Sequence, residues 1–145
     1  MKRTLSTLLF LFAIVTSTFA QQQEQVDFSD ASSSITSTLN VLNTLMHDLS
    51  NKGEVDPEIN SKIRNITAMV VPCRESIIIY SNNERSMSDD KKEKIVSISK
   101  TLENDINTID KNTTNDKILS TLSSVEKKTL NLSKLLGIKV KKRKK

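Results

Sequence analysis

Four stretches of the chain repeat apolar side chains at steps of three and four residues, the spacing that places residues on one face of an α-helix. The stripes span residues 28–49, 59–80, 95–109 and 118–136. Short polar connections separate them, and Ser, Thr, Asn and charged residues fill the positions between the apolar ones. The pattern predicts an all-α protein, an up-and-down four-helix bundle.

Turn and cap residues divide these stripes into separate helices. Gly53 ends the first helix and Gly137 the fourth, since glycine readily closes a helix C-terminus. Asp56 and Pro57 open the second helix with a capping carboxylate and a preset φ. Pro72 lies inside the second stripe, so we expect either a kinked helix or two shorter helices there.

Small and polar side chains occupy some positions within the stripes. Thr38 and Thr129 stand where an apolar residue continues the spacing, and Cys73 lies in the second stripe. We therefore expect a thin core of moderate stability. An extended coil that buries its stripes in an oligomer is the alternative architecture.

The first twenty residues have the order of a secretory signal peptide. Lys2 and Arg3 precede an apolar run at residues 8–15, and small residues lead to Ala20. The pattern predicts cleavage after Ala20, and the run is far shorter than the roughly 20 residues a membrane span needs. The predicted organisation is a signal peptide at 1–20 and a disordered segment at 21–26. A bundle at 27–137 and a disordered basic tail at 138–145 follow, with no transmembrane segment.

The basic charge of the chain is concentrated at its C-terminal end. The whole sequence has 22 Lys and Arg against 17 Asp and Glu. Two of these basic residues lie in the signal peptide and six in the tail, which leaves 14 against 17, net −3, for residues 21–138. Because a DNA-binding face carries spread cationic charge, we do not expect the body to bind DNA in a sequence-specific way.

The C-terminal tail fits the pattern of a monopartite nuclear-localisation signal within residues 141–144. A run of like charges stays extended, so its side chains remain accessible to an importin. A solubility role and a polybasic contact to anionic lipid or glycan are the competing interpretations. The predicted signal comprises Lys139, Lys141, Lys142, Arg143, Lys144 and Lys145.

A secretion signal and a nuclear signal are compatible on one chain when a second cell takes the protein up. In this combination, residues 1–20 and 139–145 resemble the small secreted effectors of host-associated fungi, both symbionts and pathogens of plants. The resemblance implies secretion followed by entry into a host nucleus. The Ser- and Leu-rich helices also resemble fungal proteins that bind hydrophobic surfaces, a likeness of composition that assigns no functional residue.

Few residues of the chain could support catalysis. His47 is the single histidine, with no evident partners for a metal site or a charge relay. Cys73 is the single cysteine, so we expect a buried thiol, with an intermolecular disulfide as the alternative. Phosphate loops, nucleophile elbows and zinc-ligand sets are not found in the sequence. We therefore expect a non-enzyme without a metal or another cofactor.

Three N-glycosylation sequons begin at Asn65, Asn112 and Asn131. With 12 Asn and 33 Ser plus Thr in 145 residues, chance alone predicts about three such triplets, so they are weak evidence. Asn112 lies in a predicted connection and is the most accessible of the three.

Together these features predict a secreted, non-enzymatic effector that reaches a host nucleus, binds importin through its tail and modulates host responses. Its bundle would bind a nuclear protein. The net negative charge of the body makes a histone or another chromatin component a candidate partner. The alternative is an extracellular structural protein that binds cell wall or a hydrophobic surface. A small-ligand carrier has little support because only 3% of the residues are aromatic.

Overall fold

The computed structural model describes residues 26–109 and 114–140. The predicted signal peptide, residues 21–25 and Lys141 to Lys145 lie outside the described residues. Within the described part the secondary structure is entirely helical. Helix α1 spans Phe28–Lys52, α2 spans Pro57–Asn83, α3 spans Asp89–Ile109 and α4 spans Asn115–Leu136.

The four helices form an all-α bundle in which each helix packs along two neighbours. Helix α1 lies against α2 and α4, and α3 lies against the same two helices. Each helix carries one apolar stripe, and the four stripes meet in one continuous core. The core is built mainly from Leu, Ile and Val, including Ile35, Leu42, Ile66, Ile77, Ile106 and Leu122.

Cap residues define where α1 and α2 begin. Asp27 accepts a hydrogen bond from the Asp30 amide at 2.9 Å, and the Asp30 carboxylate accepts from the Asp27 amide at 3.3 Å. This capping box satisfies amides that the helix leaves without partners. Asp56 accepts from the Ile59 amide at 2.7 Å with Pro57 in the first turn, so the predicted start of α2 is confirmed.

Helix α2 continues through Pro72, so the alternative of two shorter helices is wrong. Pro72 is exposed, which leaves its ring on the solvent side of the helix. The core positions before and after it, Val70 and Cys73, are both 1% exposed. Packing on both sides therefore holds the two halves of α2 in one helix, despite the amide hydrogen that proline lacks.

Helix α4 ends in a Schellman motif. Gly137 has φ of +74°, its amide donates to the Lys134 carbonyl at 3.1 Å, and the Ile138 amide donates to the Ser133 carbonyl at 2.8 Å. The motif turns the chain back so that Ile138 is buried at 8% exposure. Ile138, which we assigned to the tail, thus packs against the core, and Val140 is partly buried there.

The apolar stripe of α1 differs from the sequence prediction at its first residue. Phe28 is 43% exposed, because it lies in the first turn of α1 at the edge of the bundle. Its ring meets the ring of Tyr80 edge-on with centroids 5.8 Å apart. The pair covers the end of the bundle that also holds the α2–α3 connection.

Candidate functional site

The predicted import signal begins at the surface of the bundle. Lys139 is exposed, between the buried Ile138 and the partly buried Val140. The remaining predicted signal residues, Lys141, Lys142, Arg143, Lys144 and Lys145, lie outside the described residues. The structure therefore shows the point where the basic segment starts, and that point is anchored by the Schellman motif and by Ile138.

Two of the predicted glycosylation sites lie on helices. Asn65 in α2 and Asn131 in α4 are both exposed, whereas Asn112 lies outside the described residues. The hydroxyl of Ser133, two residues after Asn131, is buried and donates to the Leu130 carbonyl at 2.8 Å. A glycan on Asn131 would have to be added before this part of the chain folds.

The two residues considered for chemistry have structural surroundings. The His47 side chain is 73% exposed, and its ring contacts Asn51 and Asp48 on the same helix. Cys73 is 1% exposed, and burial raises the pKa of its thiol, although hydrogen bonds with Ser34 and Thr38 act in the opposite direction. The predicted buried thiol is confirmed. Among the described residues, no group of three or more His, Cys, Asp or Glu side chains could hold a metal ion.

Cys73 belongs to a polar layer across the core, which takes one small polar side chain from each helix: Thr38, Cys73, Ser99 and Thr129. Cys73 lies ten residues before the end of α2, and Ser99 lies ten residues after the start of α3. Thr38 lies fourteen residues before the end of α1, and Thr129 lies fourteen residues after the start of α4. Neighbouring antiparallel helices therefore bring all four to about the same height.

The hydroxyls of this polar layer differ in their hydrogen bonding. Thr129 donates to the Val125 carbonyl at 2.8 Å, whereas the buried Ser99 hydroxyl has no partner among the described residues. Burying a hydroxyl without a partner costs free energy. The layer therefore contributes less to stability than Leu and Ile at these positions would.

An ion-pair network covers the end of the bundle at the α1–α2 connection. We call it the loop-end network, and it consists of Asp48, Lys52, Asp56, Glu58 and Lys62. The Lys52 ammonium lies 2.8 Å from Asp56 and 2.7 Å from Glu58. The Lys62 ammonium lies 2.6 Å from Glu58 and 2.7 Å from Asp48. Five charges from α1, the connection and α2 are thereby joined in one chain.

These contacts stabilise the charged forms of the carboxylates. A hydrogen bond from Lys62 lowers the pKa of Asp48, and a hydrogen bond from Lys52 lowers the pKa of Asp56. Both lysines lower the pKa of Glu58. The carboxylates of the network are thus engaged by lysines of this chain and offer little free negative charge to a basic partner.

Two shallow grooves lie on either side of α3, and both are lined by apolar side chains together with lysines. The first, the α3–α4 groove, has a volume of about 370 Å³ and is lined by Lys94, Ser97, Ile98, Asn131, Lys134 and Leu135. The second, the α2–α3 groove, measures about 460 Å³ and is lined by Asn82, Lys92, Glu93, Val96, Ser97 and Lys100. The sequence alone indicates neither groove, because each groove combines residues from two helices.

Comparison of the chain with protein-family models, curated proteins and solved structures finds no match. None of the described helices is both long and apolar enough to cross a membrane.

Proposed function

We propose that the chain is a secreted, non-enzymatic effector that enters a recipient cell, is carried to the nucleus by its basic tail and binds a nuclear protein with its helical bundle. The observation that carries the proposal is the way the tail leaves the fold. Ile138 fixes the chain against the core, and the basic residues start immediately beyond it at the exposed Lys139. An importin can engage Lys141 to Lys145 while Ile138 and Val140 stay packed against the core.

The chemistry of the tail suits this partner. Lysine and arginine have long aliphatic stems that lie along aromatic surfaces, while their charged heads meet acidic groups. Within residues 139–145 only Val140 is uncharged. A run of like charges favours an extended backbone, which is the form in which a binding groove can receive a peptide.

The bundle supplies the binding module. Its apolar stripes are turned inward, and the large apolar side chains exposed in the described part are limited to Phe28 and Val71. A closed bundle with grooves on its surface supports recognition of another protein more readily than spreading on a hydrophobic surface, which would require the helices to separate. The net charge of −3 for residues 21–138 is the ground for considering a histone or another chromatin component, and the pairing of Asp48, Asp56 and Glu58 with lysines weakens that ground.

The proposal is tested by expressing residues 21–145, fused to a fluorescent protein too large for passive diffusion, in the cytosol of a plant cell. A second fusion carries Ser in place of the five basic residues 141–145. A matched control loses the same charge from exposed positions of the bundle, namely Arg64, Arg85, Lys100, Lys117 and Lys127.

We expect the intact fusion and the bundle control to concentrate in the nucleus and the tail variant to remain in the cytosol. If all three fusions stay in the cytosol, the tail is not an import signal. The extracellular surface-binding role would then be the one to pursue.

A further inference from the structure

The α3–α4 groove has an apolar bottom and a cationic rim. Ile98 and Leu135 are partly buried and pack against the core, so their remaining exposed surface forms the bottom of the groove. Lys94 of α3 and Lys134 of α4 stand at its sides. Its lining contains no carboxylate. The groove therefore offers apolar contact and positive charge together.

An ion pair bridges the two helices further along the same faces. The Lys128 ammonium crosses from α4 to α3, where it lies 2.6 Å from Asp105 and donates to the Thr101 carbonyl at 3.1 Å. Lys128 precedes Asn131 by one turn, and Thr101 follows Ile98 by one turn. This contact therefore bounds the groove on the side toward the middle of the bundle.

The three lysines next to this interface differ in their partners. Lys128 is neutralised by Asp105, a carboxylate of the same chain. Lys94 and Lys134 form no ion pair with any described residue, although both line the groove. A ligand carboxylate beside Lys94 or Lys134 would repeat the contact that Asp105 makes with Lys128. An amino group there would instead be repelled.

The basic tail of this chain is a poor occupant, because its charge has the same sign as the rim. A membrane surface is also a poor occupant, since the apolar side chains lie at the bottom of a concave groove and the exposed Phe28 and Val71 belong to α1 and α2. Nucleic acid would meet lysines but would leave the apolar bottom uncovered. An amphipathic helix whose apolar face is flanked by carboxylates matches both the apolar contact and the positive charge of the lining.

We propose that the α3–α4 groove binds an acidic amphipathic peptide segment of a partner protein, with apolar side chains against Ile98 and Leu135 and carboxylates beside Lys94 and Lys134. The inference depends on the proposed function in one respect: the proposed function determines the cellular compartment in which the partner protein is met. It names a partner chemistry opposite to that of a histone. The α2–α3 groove shares Ser97 and adds Lys92 and Lys100, but its lining also contains the carboxylate of Glu93, so the proposal is confined to the α3–α4 groove.

Asn131 is the place where glycosylation in the secretory pathway would cover the groove. Its side chain lines the groove and is the acceptor of a glycosylation sequon. A glycan there would occupy the space that the peptide needs. The binding test therefore uses protein produced without glycosylation.

The test measures binding of a labelled helical peptide with Leu at i, i+3, i+4 and i+7 and Glu at its exposed positions. The protein is residues 21–145, with the natural tail and with Ser at 141–145, since the tail alone attracts acidic peptides. The groove variant is Lys94→Glu with Lys134→Glu. The control is Lys117→Glu with Lys127→Glu, which reverses two exposed charges on α4 outside the groove.

In the Ser-tail protein we expect the groove variant to weaken peptide binding at least about tenfold and the control variant to change it by less than about twofold, because most surface charges act only within a Debye length. A peptide of the same composition with a scrambled order should bind much more weakly, and a version with Lys for Glu should not bind. Circular dichroism of each variant at 222 nm confirms that the bundle is folded.

Equal weakening by both variants, or equal binding of the scrambled peptide, would overturn the proposal, since either result indicates non-specific charge attraction. Preference for the Lys peptide would also overturn it and would favour a basic partner. Binding of phosphatidylserine vesicles that depends on Lys94 and Lys134, without peptide binding, would assign the groove to lipid. Because all these measurements use purified protein, their failure is separate from failure of nuclear import.

Discussion

The loop-end network and the α3–α4 groove show two different uses of lysine in one bundle. At the loop end, Lys52 and Lys62 are each held by two carboxylates of the same chain. In the groove, Lys94 and Lys134 have no carboxylate partner among the described residues and flank apolar side chains. The first arrangement satisfies its charges internally, whereas the second leaves them available to a partner.

This difference explains why net charge is a poor guide to the binding surface. Residues 21–138 carry a net charge of −3, yet carboxylates such as Asp48, Glu58 and Asp105 are paired with lysines of the fold. A surface recognises its partner through the charges that remain unpaired and accessible. On that basis α3 and α4 form the recognition half, and α1 and α2 form the more internally satisfied half.

The largest expected effect is the loss of stability when core side chains are shortened. It tests whether the two halves share one core. Ile66 in α2 and Ile106 in α3 are 0% and 2% exposed. Replacing either with Ala removes packing and leaves a cavity, so each variant should lose about 2–5 kcal/mol of unfolding free energy in urea. Two separate unfolding transitions, each shifted by only one of the variants, would mean that the halves unfold separately and that the comparison concerns two units rather than one.

A smaller loss of stability is expected at the two glycines that end helices α1 and α4. Gly53, at the loop end, has φ of +70°, and Gly137, before the tail, has φ of +74°; a Cβ at either position would meet no atom within 4 Å. Gly53→Ala and Gly137→Ala should therefore each cost about 1 kcal/mol from the left-handed backbone alone. Thermal unfolding of the two variants measures this loss of stability. An unchanged midpoint temperature for Gly137→Ala would argue against the Schellman motif that anchors the tail.

The smallest effect concerns the acid dependence of stability. The pKa values of Asp48, Asp56 and Glu58 are lowered in the folded protein, chiefly by hydrogen bonds from Lys62 and Lys52. The folded state then binds fewer protons than the unfolded state. The stabilisation is complete above the unfolded pKa values of about 4 and is lost as pH falls through the lowered values.

Replacing Lys52 and Lys62 with Met should reduce the difference in unfolding free energy between pH 7 and pH 3. Lys117→Met with Lys127→Met should leave that difference unchanged, because neither lysine forms an ion pair with a described residue. An equal reduction in both double variants would indicate a general charge effect rather than the loop-end network.

The helices themselves could be predicted from the sequence because their apolar spacing is regular. The stripes and the cap at Asp56 located α2 correctly, and Gly137 marked the end of α4. Phe28 fits the same spacing but is exposed, since a position in the first turn has neighbours on one side only. Ser99 was not predicted as a core residue because serine carries no apolar signal. In the structure it is buried on the face of α3 that is turned toward the core.

The ion pairs and grooves of the bundle could be predicted from the sequence only in part. Lys52 with Asp56 and Glu58 with Lys62 are four residues apart, a spacing that indicates pairing on its own. The contact of Lys62 with Asp48 depends on how α1 packs against α2. The α3–α4 groove likewise depends on the alignment of two helices, which periodicity within each helix does not determine.

The most direct test of this division is to map peptide binding on the folded protein. Backbone amide resonances of ¹⁵N-labelled residues 21–145, with Ser at 141–145, are followed by NMR while the acidic amphipathic peptide is added. The account predicts that the largest shift changes cluster at residues 94–98 and 131–135, with residues 48–62 little changed. Changes centred on residues 48–62, or spread evenly over all four helices, would contradict it.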